Sequence, residues 1–216
     1  MIDVIGLGAG THCGVMMDAL LFNREISIIG LLDNEERHWG TRIHGVTVLG
    51  GDREISKLIL QGITHGFIGV GGSNTTKLRT LLFNKAKNLG LNIIDTIHPS
   101  AILSGSAILG DGATVLAGAI INANVEIGSN VLINTGSIIE HDCRIHDHVH
   151  IATAAKLAGS VTVGDGAHIG IGSTIKENIN IGTNAIIGAG AVVIHDVPDY
   201  TTVVGVPAKP IKREVL

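Results

Sequence analysis

Between Ala101 and Asp196 the chain repeats every six residues without a slip in register. The third position is aliphatic in all sixteen units, from Leu103, Leu109 and Val115 through Ile139, Ile145 and Ile151 to Ile187 and Val193. The first position is compact, as at Ala101, Ala107, Ala113, Ala119, Ser137, Cys143 and Ala191. The fourth is often a small or turn-forming residue, as at Gly110, Asn122, Gly128, Asn134, Gly164, Gly170, Gly182 and Gly188, and reads as the turn. A period of six fits an α-helix poorly, and the β-branched and glycine content opposes one. The pattern predicts a parallel β-helix, in which three units close a coil of about eighteen residues. Coils stacking by ~4.8 Å would give a prism roughly 25 Å tall. Positions one and three point inward, a small residue beside a large one. No coil can bury its interior alone, so stability comes from stacking.

Aromatic residues make up only 2% of the 216 residues, which suits a core of aliphatic ladders. The net charge of −4 gives no basic footprint for nucleic acid or an anionic membrane. The opening Met1-Ile2-Asp3-Val4 has no basic leader, and no apolar run reaches the ~18 residues of a spanning helix. A cytoplasmic location is the expectation. Cys13 and Cys143 form neither a disulfide framework nor a zinc motif, and Cys143 falls at an inward repeat position.

Residues 1–97 alternate strand and helix, which predicts an α/β domain with a small parallel sheet. Met1–Gly6 reads as a buried strand, followed by Gly6, Gly8 and Gly10 and a helix from Thr11 to about Leu21. Such a turn offers unobstructed backbone N–H groups to a phosphate. The dinucleotide fingerprint lacks its third glycine, because Thr11 or Cys13 stands there, which argues against ordinary NAD binding. Ile26–Leu32 reads as a strand ending in Asp33-Asn34, where a doubly wound fold holds a ribose or base. A short strand at Gly45–Leu49, a helix at Asp52–Gln61 capped by Asp52, a strand at Phe67–Val70, the turn Gly71–Asn74, a helix at Thr75–Asn88 and a strand at Leu91–Ile94 follow. Pro99 in the linker forbids helix continuation. Residues 98–216 then form the β-helix domain, with a tail at 197–216.

Polar residues concentrate between Asn134 and His150. His141 sits at a corner, faces outward and is followed by Asp142. A carboxylate beside an imidazole fixes its tautomer and suits it to accept a proton near neutral pH. Adding eighteen to 141 gives Gly159, whose N–H could meet a developing oxyanion. The same arithmetic pairs His150 with His168 and lines up Asn134, Ala152, Gly170 and Gly188 as a column of small residues beside a groove. His146 and His148 read as solvated, and Arg144, Lys156 and Lys176 as lone surface charges.

The chain resembles the bacterial hexapeptide-repeat sugar acetyltransferases, a family that includes sialic acid O-acetyltransferases and UDP-4-amino-sugar N-acetyltransferases. The resemblance rests on Gly8-Ala9-Gly10-Thr11-His12, Leu32-Asp33-Asn34, Ile97-His98-Pro99-Ser100-Ala101, Asn134 to Asp142, Leu157-Ala158-Gly159 and Gly205-Val206-Pro207-Ala208-Lys209. It implies a Rossmann-like domain followed by a left-handed β-helix. It implies that His141 is the catalytic base, with Asp142 its partner where the family often has Glu, and that Gly159 is the backbone donor to the thioester carbonyl. It implies sugar-nucleotide contacts at Gly8, Gly10, His12, Asp33, Asn34, Gly71, Asn134 and His150. Acetyl-CoA would lie along Gly159, Gly170, Gly188 and Lys209, in a groove between the prisms of a homotrimer.

The expected activity is acetyl-CoA-dependent N-acetylation of a nucleotide-linked 4-amino-deoxy sugar, with no metal. O-acetylation of a sialic acid is the alternative acceptor chemistry. Two other classes are a zinc enzyme resembling γ-class carbonic anhydrases and a non-catalytic nucleotide sensor or scaffold. The zinc reading is weakened by Ala123 and Gly128 standing one coil before His141 and His146.

Overall fold

A computed structural model describes residues 1–72 and 75–213. The chain divides into two compact units, residues 1–71 with 78–96, and residues 72–77 with 97–216.

The first unit contains β1 (Ile2–Leu7), α1 (Thr11–Leu21), β2 (Ile26–Leu32), β3 (Arg42–Ile43), β4 (Val46–Gly50), α2 (Ile55–Leu60), β5 (His65–Ile68), α3 (Lys77–Asn88) and β6 (Asn92–Ile93). The sheet order is β3-β4-β2-β1-β5-β6. All neighbours are parallel except β3, which pairs antiparallel with β4. The order puts β1 between β2 and β5, so the chain winds both ways from β1. Its C-terminal end is the switch point where such sheets bind ligands. Gly6 is required there, because a Cβ would come within 2.6 Å of Leu31 Cδ2 and Phe67 Cζ on the flanking strands.

Two local expectations change. Asp52 does not cap a helix: Gly51 is the N-cap of a 3₁₀ turn, Asp52–Glu54, that leads into α2. The Asp52 carboxylate is instead buried, accepting from Asn34 Nδ2 at 2.8 Å and Lys85 Nζ at 3.0 Å. The β3–β4 hairpin was not legible, since its first strand has only two residues. The last two residues of the Gly71–Asn74 turn, and the last three of the tail, lie outside the described residues.

In the second unit, sixteen two-residue strands run from Ile102–Leu103 to Val192–Val193 and stack on three faces. One face stacks Thr114–Val115, Leu132–Ile133, His150–Ile151, His168–Ile169 and Ile186–Ile187. Each strand pairs in parallel with the residues eighteen further on, as Ile133 with Ile151 and Ile151 with Ile169. The third-position residues from Val115 to Val193 and the apolar first-position residues from Ala119 to Ala191 pack into one core, with Ser137 and Ser173 also buried. Each fully buried aliphatic contributes about 1.5–3 kcal/mol before chain ordering is counted.

The turn is at positions five and six, not at position four. From Gly112 to Gly190 every sixth-position residue is left-handed, with φ between 52° and 68°. Glycine and asparagine fill most of these places because they tolerate that conformation. Position four is small for another reason: a Cβ on Gly110 would lie 2.7 Å from the carbonyl carbon of Gly128 in the next coil. After the last coil, Thr201–Val204 continues the first-described face and pairs antiparallel with Lys209–Arg213. That hairpin forms most of the tail expected at 197–216.

Candidate active site

The strand Ile138–Ile139 delivers His141 to the fifth and Asp142 to the sixth position of its unit. His141 Nδ1 and Asp142 Oδ2 are 2.8 Å apart. An ionised carboxylate only accepts, so the imidazole proton sits on Nδ1 and Nε2 is left with a lone pair. Both side chains are open to solvent, at 59% and 50% exposure, so an incoming amine can reach them. Asp142 is held below the usual carboxylate range, first by its hydrogen bond with His141 and then by Asn124 Nδ2, which donates to Oδ1 at 3.1 Å. Asn124 went unrecognised in the sequence. Subtracting eighteen from 142 would have found it.

Gly159 lies one coil on, against the imidazole. A Cβ there would be 2.7 Å from His141 Cε1 and 2.8 Å from Nε2, so any side chain at 159 would displace the imidazole. The ladder uses the neighbouring groups: Ser160 N–H donates to the His141 carbonyl at 2.9 Å, and the Gly159 carbonyl accepts from Asn178 at 3.1 Å. The Gly159 N–H makes no hydrogen bond among the described residues. A lone pair and an unpaired N–H thus share one corner.

Asn134, His150 and His168 belong to the corner and face that begin at Leu132–Ile133. His150 and His168 occupy outward second positions, yet both are buried. Their rings meet edge to face at 77°, with centroids 4.8 Å apart, and so are not parallel-stacked. Asn134 Nδ2 lies 3.4 Å from His150 Nε2, while Asn134 Oδ1 accepts from Thr135 N–H at 2.8 Å. Gly72 closes on the other side, where a Cβ would be 2.8 Å from His150 Nδ1. With Ala152, Gly170 and Gly188 these residues line a cleft of about 270 Å³. Burial pushes the His168 imidazole below its ordinary range, and its Nδ1 has no partner among the described residues.

The cluster read between Asn134 and His150 is therefore not one site within a single prism. It spans most of a coil and wraps around it. His141 and His150 are nine residues, half a coil, apart, and they stand on different faces. His148 is hydrogen-bonded rather than solvated, its Nδ1 lying 3.0 Å from Asn130 Nδ2. Arg144 and Lys176 are not lone charges: Arg144 lies 3.9 Å from Glu126, and Lys176 3.7 Å from Glu177. Lys156 is exposed. Lys209 is exposed and opens the final strand.

In the first unit the switch point gathers Gly8, Gly10, His12, Asp33 and Gly71. Gly8 has φ +99°, and nothing lies within 4 Å of a Cβ built on Gly10. The two Asp33 oxygens accept from the N–H groups of Ala9 at 2.7 Å and Glu35 at 2.8 Å, so Asp33 holds the glycine turn in shape. The Trp39 indole donates to the Asp33 carbonyl at 2.7 Å. Asn34 is committed to Asp52. Gly71 abuts the His12 ring, with a built Cβ 3.0 Å from Cγ. Burial, with the Arg79 guanidinium nearby, pushes His12 down to about 4, and its Nε2 has no partner among the described residues. Arg79 is buried and donates to the carbonyls of Ile68 and Val70 at 3.2 and 3.0 Å, holding the end of β5. Both cysteines are buried free thiols, and burial pushes Cys13 up to about 12 and Cys143 to about 11. Among the described residues no three His, Cys, Asp or Glu side chains converge to hold a metal ion, and no helix is long and apolar enough to cross a membrane.

Comparison with known proteins adds a family to this geometry. The PglD N-terminal domain matches residues 3–86, and the bacterial transferase hexapeptide (six repeats) matches residues 124–159. No curated protein matches the sequence. Among solved structures, PerB from Caulobacter crescentus in complex with CoA and GDP-perosamine is 36% identical, with 97% of each chain covered and a TM-score of 0.89. The acetyltransferase domain of PglB from Neisseria gonorrhoeae in complex with acetyl coenzyme A is 31% identical, covering 97% of this chain and 98% of that one, with a TM-score of 0.86. WeeI from Acinetobacter baumannii, 24% identical over 98% and 100% of the two chains with a TM-score of 0.81, shares the fold. The chain belongs to the bacterial hexapeptide-repeat sugar acetyltransferases that carry a PglD-type N-terminal domain.

Proposed function

We propose that this enzyme transfers an acetyl group from acetyl-CoA to the amine of a nucleotide-linked amino sugar. The carrying observation is the His141 corner, where an imidazole oriented by Asp142 leaves Nε2 free beside the unpaired N–H of Gly159. The amine attacks the thioester carbon, and a C–N bond forms as the carbonyl oxygen gains negative charge. The Gly159 N–H meets that oxyanion. His141 takes a proton from the attacking nitrogen, the C–S bond breaks, and the thiolate leaves and is protonated. The likeness to PerB with CoA and GDP-perosamine, and to the PglB domain with acetyl coenzyme A, supports this choice of co-substrates.

In this reading residues 1–97 hold the nucleotide, through the open backbone at Gly8 and Gly10 and through His12 and Gly71, with Asp33 and Asn34 shaping the site. Residues 98–216 carry the transfer. Because His141 and the Asn134–His150 cleft stand on different faces of one prism, a neighbouring prism is needed to bring them together, and the enzyme acts as a homotrimer. The outward residues Ile102, Ile120 and Ile138, stacked on one face and with Ile102 62% exposed, suit such packing. Acetyl-CoA then runs along Gly159, Gly170, Gly188 and Lys209. In this reading the enzyme works in the cytoplasm.

Replacing His141 with Ala tests the assignment. The expected result is a fall in kcat of about 10²–10⁴-fold, with CoA affinity by calorimetry unchanged. Full turnover would remove His141 from the mechanism.

A further inference from the structure

We infer that Asn124 is a positioning residue for the transfer reaction, completing an Asn124–Asp142–His141 relay that runs between adjacent coils. The inference rests on the reading of His141 as the base.

The geometry is specific. Asp142 has two oxygens and a different task for each: Oδ2 meets His141 Nδ1 at 2.8 Å, and Oδ1 accepts from Asn124 Nδ2 at 3.1 Å. The carboxylate cannot donate, so the Asn124 amide must turn its NH₂ toward it. Asn124 lies eighteen residues before Asp142, directly one coil away, and both are left-handed sixth-position residues, with φ +58° and +60°. Its backbone is held in turn: Asn124 N–H donates to Ser106 Oγ at 3.0 Å, one coil further back. Asp142 is half exposed and has a free χ1 torsion, so a single bond to His141 would leave the pair able to swing. A second bond to the opposite oxygen fixes the plane of the carboxylate, and with it the imidazole facing Gly159. Asp142 N–H donates to the Ala123 carbonyl at 3.0 Å, so the backbone of the same stretch positions both partners.

The test uses the full chain with acetyl-CoA and an amino-sugar nucleotide that it acetylates. Asn124→Gly removes the donor and keeps the left-handed turn without strain. Asn124→Asp keeps the shape but replaces the donor with an acceptor. Both are expected to lower kcat by about 3- to 10-fold, the size of one hydrogen bond, with the KM for acetyl-CoA unchanged. In an Asp142→Asn background, Asn124→Gly is expected to add no further loss. Full kcat in Asn124→Gly, or an equal loss with and without Asp142, overturns the inference. A purely structural role predicts normal activity in the isosteric Asn124→Asp, which would also overturn it. Asp142→Asn alone separates the two readings. If it is impaired and Asn124→Gly is not, only the relay fails. If Asp142→Asn itself turns over fully, the reading of an oriented base fails.

Discussion

At the scale of single residues, the corner at His141 depends on an absence. The imidazole occupies the space in which any side chain at position 159 would sit, so Gly159→Ala must push the ring away by more than a few tenths of an ångström. The expected effect is a loss of about 10- to 100-fold in kcat, since a small displacement of a reacting group costs that order. The melting temperature should change little, because the ring is exposed and free to move; intact kcat would mean that the ring position does not matter. Titration offers a second check. His12, pushed down to about 4, stays neutral in the fold but takes up a proton near 6.5 when unfolded, and His168 is lowered in the same direction. The unfolded chain then binds more protons, so stability is full above pH 6.5 and falls as the pH drops toward 4. The slope from His12 is up to about 1.4 kcal/mol per pH unit. Denaturant melts between pH 7.5 and 4.5 should record this, and His12→Asn should flatten the fall; an unchanged slope would contradict the neutral buried state. His141, Asp142 and Gly159 were legible because the eighteen-residue spacing converts number into neighbourhood. Asp33 was legible as a position but not as a partner of Ala9 and Glu35, because loop hydrogen bonds follow no period.

At the scale of elements, the hexad was legible in full at positions one and three and misread at position four. The third-position ladder needs only a periodic count, and it appears as the buried core from Val115 to Val193. The fourth position was taken for the turn because glycine marks turns, whereas here it marks the close passage of the next coil. The true turn at position six hides behind mixed chemistry, since His148, Ala154 and Ser160 share the left-handed backbone with glycine and asparagine. That mixture makes a prediction. Ala154, at φ +57°, bears the cost of a Cβ in a left-handed turn. Ala154→Gly should raise stability by about 0.5–1 kcal/mol, measured by denaturant melts; destabilisation would mean that the Ala154 methyl makes packing contacts that outweigh the strain. In the α/β unit the long strands and helices were legible from pattern. The two-residue strand Arg42–Ile43 and the 3₁₀ start at Asp52–Glu54 were not, because pieces so short carry no periodicity.

At the scale of the whole molecule, the half-coil spacing of His141 and His150 is the decisive fact. It keeps the two sets of residues apart within one chain, and in the homotrimer we propose the corner of one prism meets the cleft of another. The sequence showed both sets of residues but drew them as one cluster, because adjacency in number looks like adjacency in space until the coil is closed. We propose that the site acetylates an amine on a nucleotide sugar. Thiol release from acetyl-CoA measures it most directly, across GDP- and UDP-linked amino sugars and free and CMP-linked sialic acids. Rapid turnover is expected with an amino-sugar nucleotide, with an N-acetylated product by mass spectrometry, and none with the sialic acids. Turnover confined to a sialic acid hydroxyl, or no thiol release from a protein that binds both CoA and a sugar nucleotide, would contradict it.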